Sequence, residues 1–166
     1  MNTRYRFSST LFIIFSAISC YTFGTAMMDY FLLYPSRFLV GEKEFATYHS
    51  FLEGAILAIS VFPFLLIIVL NILLVWFRPN WVSKKLVWIS LVCLILDLIS
   101  TAVFQAHWNF ELSTGKNVAL MQKITDTNWG RVFLETTQVI VVVVMLDQRY
   151  AKAPDAAPSN VAMPRA

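Results

Sequence analysis

Residues 128–146 of the chain read NWGRVFLETTQVIVVVVML. The run 139–146 is wholly apolar, which is typical of a membrane-spanning helix rather than of a soluble core element. The first half nevertheless carries Arg131, Glu135 and Gln138, and their spacing of i, i+4, i+7 puts the three side chains on one face of a helix. Because a charged side chain is costly in hydrocarbon, this face is expected to point at other helices of the bundle.

The composition of the whole chain indicates an integral membrane protein. Hydrophobic residues make up 58% of its 166 residues and charged residues 14%, with a mean hydropathy of +0.64. Four apolar segments, at about 8–33, 46–77, 84–108 and 129–147, are each long enough to cross a bilayer core of ~30 Å. The sequence therefore predicts an all-α, up-down-up-down transmembrane four-helix bundle over residues 1–150. The Ala- and Pro-rich residues 151–166 are expected to form a disordered cytoplasmic tail.

Two prolines and one polar stretch are expected to interrupt or separate these helices. Pro35 is expected to end the first helix, and Pro63 to kink the second. Residues 109–127 are the longest break in hydrophobicity, and residues 117–124 have weak amphipathic spacing. A short surface helix that covers one end of the bundle is expected there.

Positive charges are distributed between alternate loops in a way that indicates topology. Eight Lys and Arg residues fall on the side of the two termini: Arg4, Arg6, Arg78, Lys84, Lys85, Arg149, Lys152 and Arg165. Five fall on the other side or in its helix ends: Arg37, Lys43, Lys116, Lys123 and Arg131. The excess predicts a multi-pass protein of the cell membrane with both termini in the cytoplasm. Since the net charge of +3 is not clustered on one surface, no nucleic-acid partner is expected.

Polar residues of all four helices are expected to meet at one level, in the outer half of the bundle. Asp29, Glu53, Gln105 and Glu135 would share one depth, with Tyr48, His49, His107, Asn109, Trp129 and Arg131 just above them and Asp97 deeper. The other half offers little beyond Asn71. Hydroxyls and amides would join helices at lower cost than carboxylates, so this arrangement favours a functional pocket, with a structural salt-bridge network as the alternative.

Within this set, the chemistry depends on His49 and Glu53, which are four residues apart on one helix face, and on Arg131. These three are the candidate catalytic residues, and Asp29, Tyr48, Gln105, His107, Asn109, Trp129 and Glu135 are candidates for substrate binding. No metal or other cofactor is expected, although a metal site at His49 and Glu53, or a haem between His49 and His107, stays open. A Ser-His-Asp arrangement, a phosphate-binding loop and a CxxC motif are all absent from the sequence.

Short motifs resemble the anthrone-oxygenase-like family of four-helix membrane domains. They are Gly24 to Pro35 at the end of the first helix, Trp108-Asn109-Phe110-Glu111-Leu112 at the end of the third, and Asn128-Trp129-Gly130-Arg131 at the start of the fourth. The resemblance implies cofactor-independent oxygenation of a polycyclic phenol, with His49, Asn109, Trp129 and Arg131 in the pocket. The segment His-Trp-Asn-Phe-Glu at 107–111 departs from the family pattern.

The sequence therefore leads to one functional hypothesis and two alternatives. In the first, the bundle binds a hydrophobic phenol- or quinone-like molecule and oxygenates it after proton abstraction, with Glu53 or His49 as the base and Arg131 and Asn109 stabilising a substrate oxyanion. In the second, the protein is a non-enzymatic membrane subunit or scaffold held by buried ion pairs. A proton-coupled carrier is less favoured, because the four helices have no internal repeat. The bilayer and a hydrophobic small molecule are the expected partners, and a homo-oligomer is possible.

Overall fold

The computed structural model describes residues 3–151, with side chains up to residue 149, so nearly all of the tail predicted at 151–166 lies outside the described residues. Three long helices, α1 (Thr3–Leu39), α2 (Glu42–Phe77) and α3 (Lys84–Leu112), are followed by a short helix, α4 (Val118–Thr127), and by α5 (Trp129–Ala151). The part of the chain that the structure describes contains no strand. The prediction of an all-α four-helix fold is confirmed.

The four long helices form a ring in which each packs on its two neighbours. Helix α1 contacts α2 and α5, and α3 contacts α2 and α5. The directions alternate, since Phe7 near the start of α1 meets Phe77 at the end of α2, while Tyr30 late in α1 meets Trp129 at the start of α5. Each helix is long and apolar enough to cross a membrane, the last of them together with α4. We call the end that carries the N-terminus and residues 78–83 the terminal end, and the opposite end the loop end.

The structure corrects the predicted end of the first helix. Pro35 does not stop α1, which continues to Leu39. The segment Asp29–Leu33 is wound as a π-helix, with the N–H of Tyr34 donating to the carbonyl of Asp29, and Pro35 lies in the first turn of the α-helical segment that follows. Proline is tolerated at that position, because its missing N–H and fixed φ suit the first turn of a helix.

Widened turns recur in the next two helices. In α2 the π-helical segment Leu57–Val61 immediately precedes Pro63, and in α3 the segment Thr101–Gln105 is π-helical without a proline. Such turns are rare and are found most often at functional sites. The widened turns of α1 and α3 lie toward the loop end, and that of α2 lies near the middle of its helix. In α2 a widened turn therefore lies immediately before Pro63, where the sequence predicted a kink.

A polar layer joins all four long helices inside the terminal half. The Gln138 amide of α5 donates to the hydroxyls of Ser19 in α1 (3.2 Å) and Ser90 in α3 (3.3 Å). Ser90 donates in turn to the Asn71 side-chain oxygen of α2 (2.7 Å), whose nitrogen faces the Val87 carbonyl (3.2 Å). The expectation that this half holds little beyond Asn71 was wrong. An apolar cluster that includes Phe12, Phe15, Ile67, Leu74, Val142 and Met145 surrounds this layer.

Helix α4 covers the loop end. Its start is capped by Asn117, whose side-chain oxygen accepts from the N–H of Leu120 (3.1 Å). The buried face of the helix, Leu120, Met121 and Ile124, packs on Tyr34, Phe45 and Leu112 of the three preceding helices. The surface helix expected from residues 117–124 is therefore present, and it closes the bundle at this end.

Replacement of Ser90 tests the contribution of the polar layer to stability. In Ser90→Ala the amides of Asn71 and Gln138 each lose a partner, and interhelical hydrogen bonds in membrane proteins contribute about 0.6–1.7 kcal/mol. We expect the Tm in detergent to fall by about 2–4 °C. The matched control is Thr137→Ala, because this exposed hydroxyl bonds only its own helix, at the Phe133 carbonyl. A Tm for Ser90→Ala equal to that of the control would show that the layer adds nothing.

Candidate functional site

A cavity of about 400 Å³ lies in the loop half, between α1, α2, α3 and α5. Six of the residues that the sequence pointed to line it: Asp29, Glu53, Gln105, Asn109, Arg131 and Glu135. They come from all four long helices. These six residues of the four helices therefore surround one cavity.

The other four candidates lie outside the cavity lining. Tyr48 shares a hydrogen bond of 2.8 Å with the hydroxyl of Ser36, and Trp129 is exposed with its ring against Tyr30. His107 is exposed. His49 is fully buried next to the site rather than within its wall. Contact of these four side chains with a ligand in the cavity, as the sequence predicted, therefore has no support in the geometry.

Arg131 contacts two acids, one on α3 and one on its own helix. Its Nε lies 3.0 Å from Asp97 Oδ1 in α3, and one terminal nitrogen lies 3.5 Å from Glu135 Oε1, one turn further along α5. The other terminal nitrogen faces the side-chain oxygen of Asn128 at 3.4 Å. All three nitrogens of the guanidinium thus have partners. Since Asp97 and Glu135 are buried, this pairing neutralises charge that the interior would otherwise not tolerate.

Arg37 is the functional candidate that the sequence analysis missed. It is buried, lines the cavity and donates to the Asn109 side-chain oxygen at 2.8 Å, with its guanidinium 5.1 Å from the centre of the Tyr34 ring. Asn109 is held in turn by its own donation to the Gln105 carbonyl (2.8 Å). The sequence pattern placed Arg37 in a loop because Pro35 was interpreted as a helix end. The apolar Phe38 and Leu39 that follow were the available sign that the helix continues.

Glu53 is paired with a buried histidine. His49 Nε2 lies 3.3 Å from Glu53 Oε1 and 3.0 Å from the Asn109 carbonyl, and the ring stacks on Phe45. Both neighbours of Nε2 are acceptors, so this nitrogen carries the hydrogen and donates it. The Glu53 side chain is 39% exposed and lines the cavity. Glu53 can therefore meet a ligand while His49 holds its position.

Several buried polar atoms around the cavity have no hydrogen-bond partner among the described residues. Three of them are Arg37 Nε, Thr101 Oγ1 and Gln105 Oε1. Because buried polar groups in proteins are almost always hydrogen-bonded, such atoms call for an explanation. All three belong to residues of the cavity wall, which therefore presents both a donor and acceptors to a guest molecule.

The cavity opens sideways rather than toward the loop end. Its wall includes the exposed side chains Leu57 and Leu65 of α2 and Phe110 of α3, which are 52%, 43% and 75% exposed. These residues flank a gap between the loop halves of α2 and α3, whereas α4 closes the end of the bundle. For a bundle in a bilayer, this gap faces the acyl chains.

Comparison of the chain with models of protein families, with curated proteins and with solved structures found no match. The resemblance to anthrone-oxygenase-like domains therefore stays a prediction. Within residues 3–149, no three His, Cys, Asp or Glu side chains are grouped so that they could hold a metal ion. Fold and site together define a bundle of four potentially membrane-spanning helices with a polar cavity open at its side.

Removal of Arg131 tests whether the ion pairs hold the bundle. Arg131→Met leaves Asp97 and Glu135 buried without a counter-charge, and loss of one partner of a buried pair costs about 3–5 kcal/mol. We expect a large fall in Tm and in the yield of folded protein. The triple variant Arg131→Met, Asp97→Asn, Glu135→Gln removes all three ionisable groups and should regain most of the loss. A triple variant as unstable as the single one would show that charge pairing is not the reason.

Proposed function

We propose that this protein binds a hydrophobic phenol- or quinone-like molecule in the loop-half cavity and oxygenates it after proton abstraction. The observation that carries the proposal is the chemical division of the cavity wall. Its wall combines the apolar, exposed Leu57, Leu65 and Phe110 with the polar Glu53, Arg37 and Asn109. A ligand with a hydrophobic ring system and one polar edge would match both the apolar and the polar residues of the wall.

The contrast between the polar layer of the terminal half and the charged residues of the loop half supports a ligand site. In the terminal half, Ser19, Asn71, Ser90 and Gln138 bind one another, and hydroxyls and amides suffice to join all four helices. In the loop half, Arg131 joins α5 to α3 through Asp97, whereas Asp29, Glu53 and Arg37 form no ion pair between helices among the described residues and line the cavity. Ionisable residues inside membrane helices are usually retained for function, because their transfer into the membrane costs free energy.

The size and access of the cavity narrow the class of ligand. A volume of about 400 Å³ is within the usual range for small-molecule sites, roughly 300–1,000 Å³. The lateral gap between α2 and α3 would admit a molecule dissolved in the bilayer. A polycyclic phenol or a quinone fits both conditions, whereas a charged metabolite from water would have to pass α4.

The proposed chemistry begins with Glu53 as the base. Glu53 takes a proton from a ring CH₂ group conjugated with a phenol, and the substrate oxygen becomes negative. The carbanion form then adds O₂ through a new C–O bond. Protonation of the peroxide and loss of water, with Glu53 returning its proton, convert CH₂ and O₂ into C=O and H₂O. The substrate loses the four electrons that O₂ gains, so no other oxidant is needed.

Arg37 is the better candidate to stabilise the substrate oxyanion. The sequence-based hypothesis gave this role to Arg131 and Asn109. However, the three nitrogens of Arg131 face Asp97, Glu135 and Asn128, and the Asn109 amide is used by Arg37 and Gln105. Arg37 Nε has no hydrogen-bond partner among the described residues and can donate to the ligand. Arg131 would act through its charge at longer range.

Glu53→Gln tests the base. The amide keeps the shape and can still contact His49, so we expect an unchanged Tm and a fall in kcat of at least ~100-fold, the usual size of a general-base contribution. Oxygen uptake by the protein in detergent with a hydroxyanthrone measures it. The control is Glu111→Gln, an exposed acid outside the cavity wall. Equal rates for Glu53→Gln and the wild type would rule out this base, and a wild type that neither binds nor consumes the probe would rule out the function.

A non-enzymatic membrane subunit is the second candidate function, and the Arg131 pairs with Asp97 and Glu135 favour it. That role predicts no bound phenol or quinone, and no change in any property on replacement of Glu53. Asp29 and Glu53 argue against it, because neither forms an ion pair with Arg or Lys within the described residues. Formation of a homo-oligomer stays a prediction under both functions.

We further propose that the terminal end faces the cytoplasm across the cell membrane. Six described cations gather there, Arg4, Arg6, Arg78, Lys84, Lys85 and Arg149, against one described acid, Asp147. The loop end mixes both signs. An excess of Lys and Arg in short loops marks the cytoplasmic side.

Cysteine labelling tests this orientation. In a background of Cys20→Ser and Cys93→Ser, a membrane-impermeant maleimide added to intact cells should label Ser113→Cys at the loop end. The same reagent should reach Asn80→Cys at the terminal end only after the cells are permeabilised. The reverse pattern would invert the orientation, and both positions are in turns between helices, so substitution there should leave folding intact.

A further inference from the structure

We infer that the terminal end carries a second site, which binds the phosphate group of an anionic phospholipid. A cavity of about 500 Å³ lies there between the start of α1 and the end of α2, and it shares no residue with the loop-half cavity. Its polar wall contains Arg4, Arg78, Asn80 and Lys84. The inference is independent of the proposed function.

The charge of this cavity is one-sided. Arg4 comes from α1, Arg78 from the turn after α2, and Lys84 from the first residue of α3, so three chain segments each contribute one cation. Among the described residues that line the cavity there is no acid, and Asp147, the acid described at this end, lies outside its wall. Cations from three chain segments in the wall of one cavity suit a group that carries negative charge on several oxygens.

The geometry of the turn helps to position one of these cations. The Arg78 guanidinium donates to the Val82 carbonyl at 2.8 Å, across the turn that joins α2 to α3. A guanidinium tied in this way is oriented before a ligand arrives, which reduces the entropy lost on binding. Arginine is well suited to phosphate, because its planar fork of N–H donors matches two oxygens at once, while lysine adds a point charge.

The surroundings favour a lipid over a soluble phosphate. Tyr5, Trp76 and Phe77 also line the cavity and are exposed, with Trp76 at 65%. Tyrosine and tryptophan concentrate at the level of lipid head groups. Ile72 and Val69 follow Trp76 at four and seven residues toward the bundle centre, and both are exposed on the same helix face. A head group held by the cations would therefore have its acyl chains along an apolar strip of α2.

Lipid binding by the full-length protein in detergent, followed by native mass spectrometry, tests this site. We expect phosphatidylglycerol to bind at least 10-fold more tightly than phosphatidylcholine with the same chains, and added NaCl to weaken it. Inorganic phosphate at the same concentration should neither bind nor compete. Equal binding of the two lipids would overturn the phosphate site, and effective competition by inorganic phosphate would overturn its assignment to a lipid.

A pair of double variants separates a defined site from general attraction to a basic surface. Arg78→Gln with Lys84→Gln removes two cations of the cavity and should weaken phosphatidylglycerol binding at least 10-fold. Arg6→Gln with Lys85→Gln removes the same charge from exposed residues at the same end that do not line it, and should change binding less than 2-fold. If the two double variants lost phosphatidylglycerol binding equally, the proposal of a defined site would be overturned. If the first variant does not fold, Lys84→Gln alone, an exposed position, should still weaken binding about 3-fold, and no change would count against the site.

Discussion

Hydrocarbon offers no partner to a charged side chain, and the arrangement of this protein follows from that fact. Arg131, Asp97 and Glu135 lie on helices that are otherwise apolar, so they can be accommodated only by facing one another inside the bundle. The pairing of Arg131 with Asp97 at 3.0 Å joins α3 to α5, and the contact with Glu135 at 3.5 Å keeps the guanidinium on the inner face of its own helix. The remaining helices complete a wall around these charges.

The two halves of the bundle meet the same constraint in different ways. The terminal half uses neutral hydroxyls and amides that satisfy one another inside a closely packed apolar cluster. The loop half uses charged groups and contains a cavity, and α1, α2 and α3 each have a widened turn. Residues of those turns, Asp29, Ser60 and Thr101 among them, line the cavity. The terminal half is therefore the closely packed part of the bundle, and the loop half contains the charged and polar groups that a binding site needs.

The wall of the loop-half cavity is consistent with the proposed exchange of molecules with the bilayer. Helix α4 packs over the end of the bundle through Leu120, Met121 and Ile124, while the loop halves of α2 and α3 leave a gap beside Phe110. The same wall contains Glu53, which is held by His49, and Arg37, which is held by Asn109. A molecule that entered from the side would meet both apolar and hydrogen-bonding groups.

Hydropathy and helical spacing in the sequence alone determined the number of long helices, their alternating directions, the short helix at the loop end and six residues of the cavity wall. These features are local or follow from the cost of exposing a charge to lipid. The tertiary structure decided the rest: the continuation of α1 past Pro35, the burial of Arg37, the pairing of Asp97 with Arg131 and the exclusion of Tyr48, His49, His107 and Trp129 from the cavity wall. A widened turn changes which way every later side chain of a helix points, and whether one forms depends on the packing of neighbouring helices, which no periodicity in a single segment records.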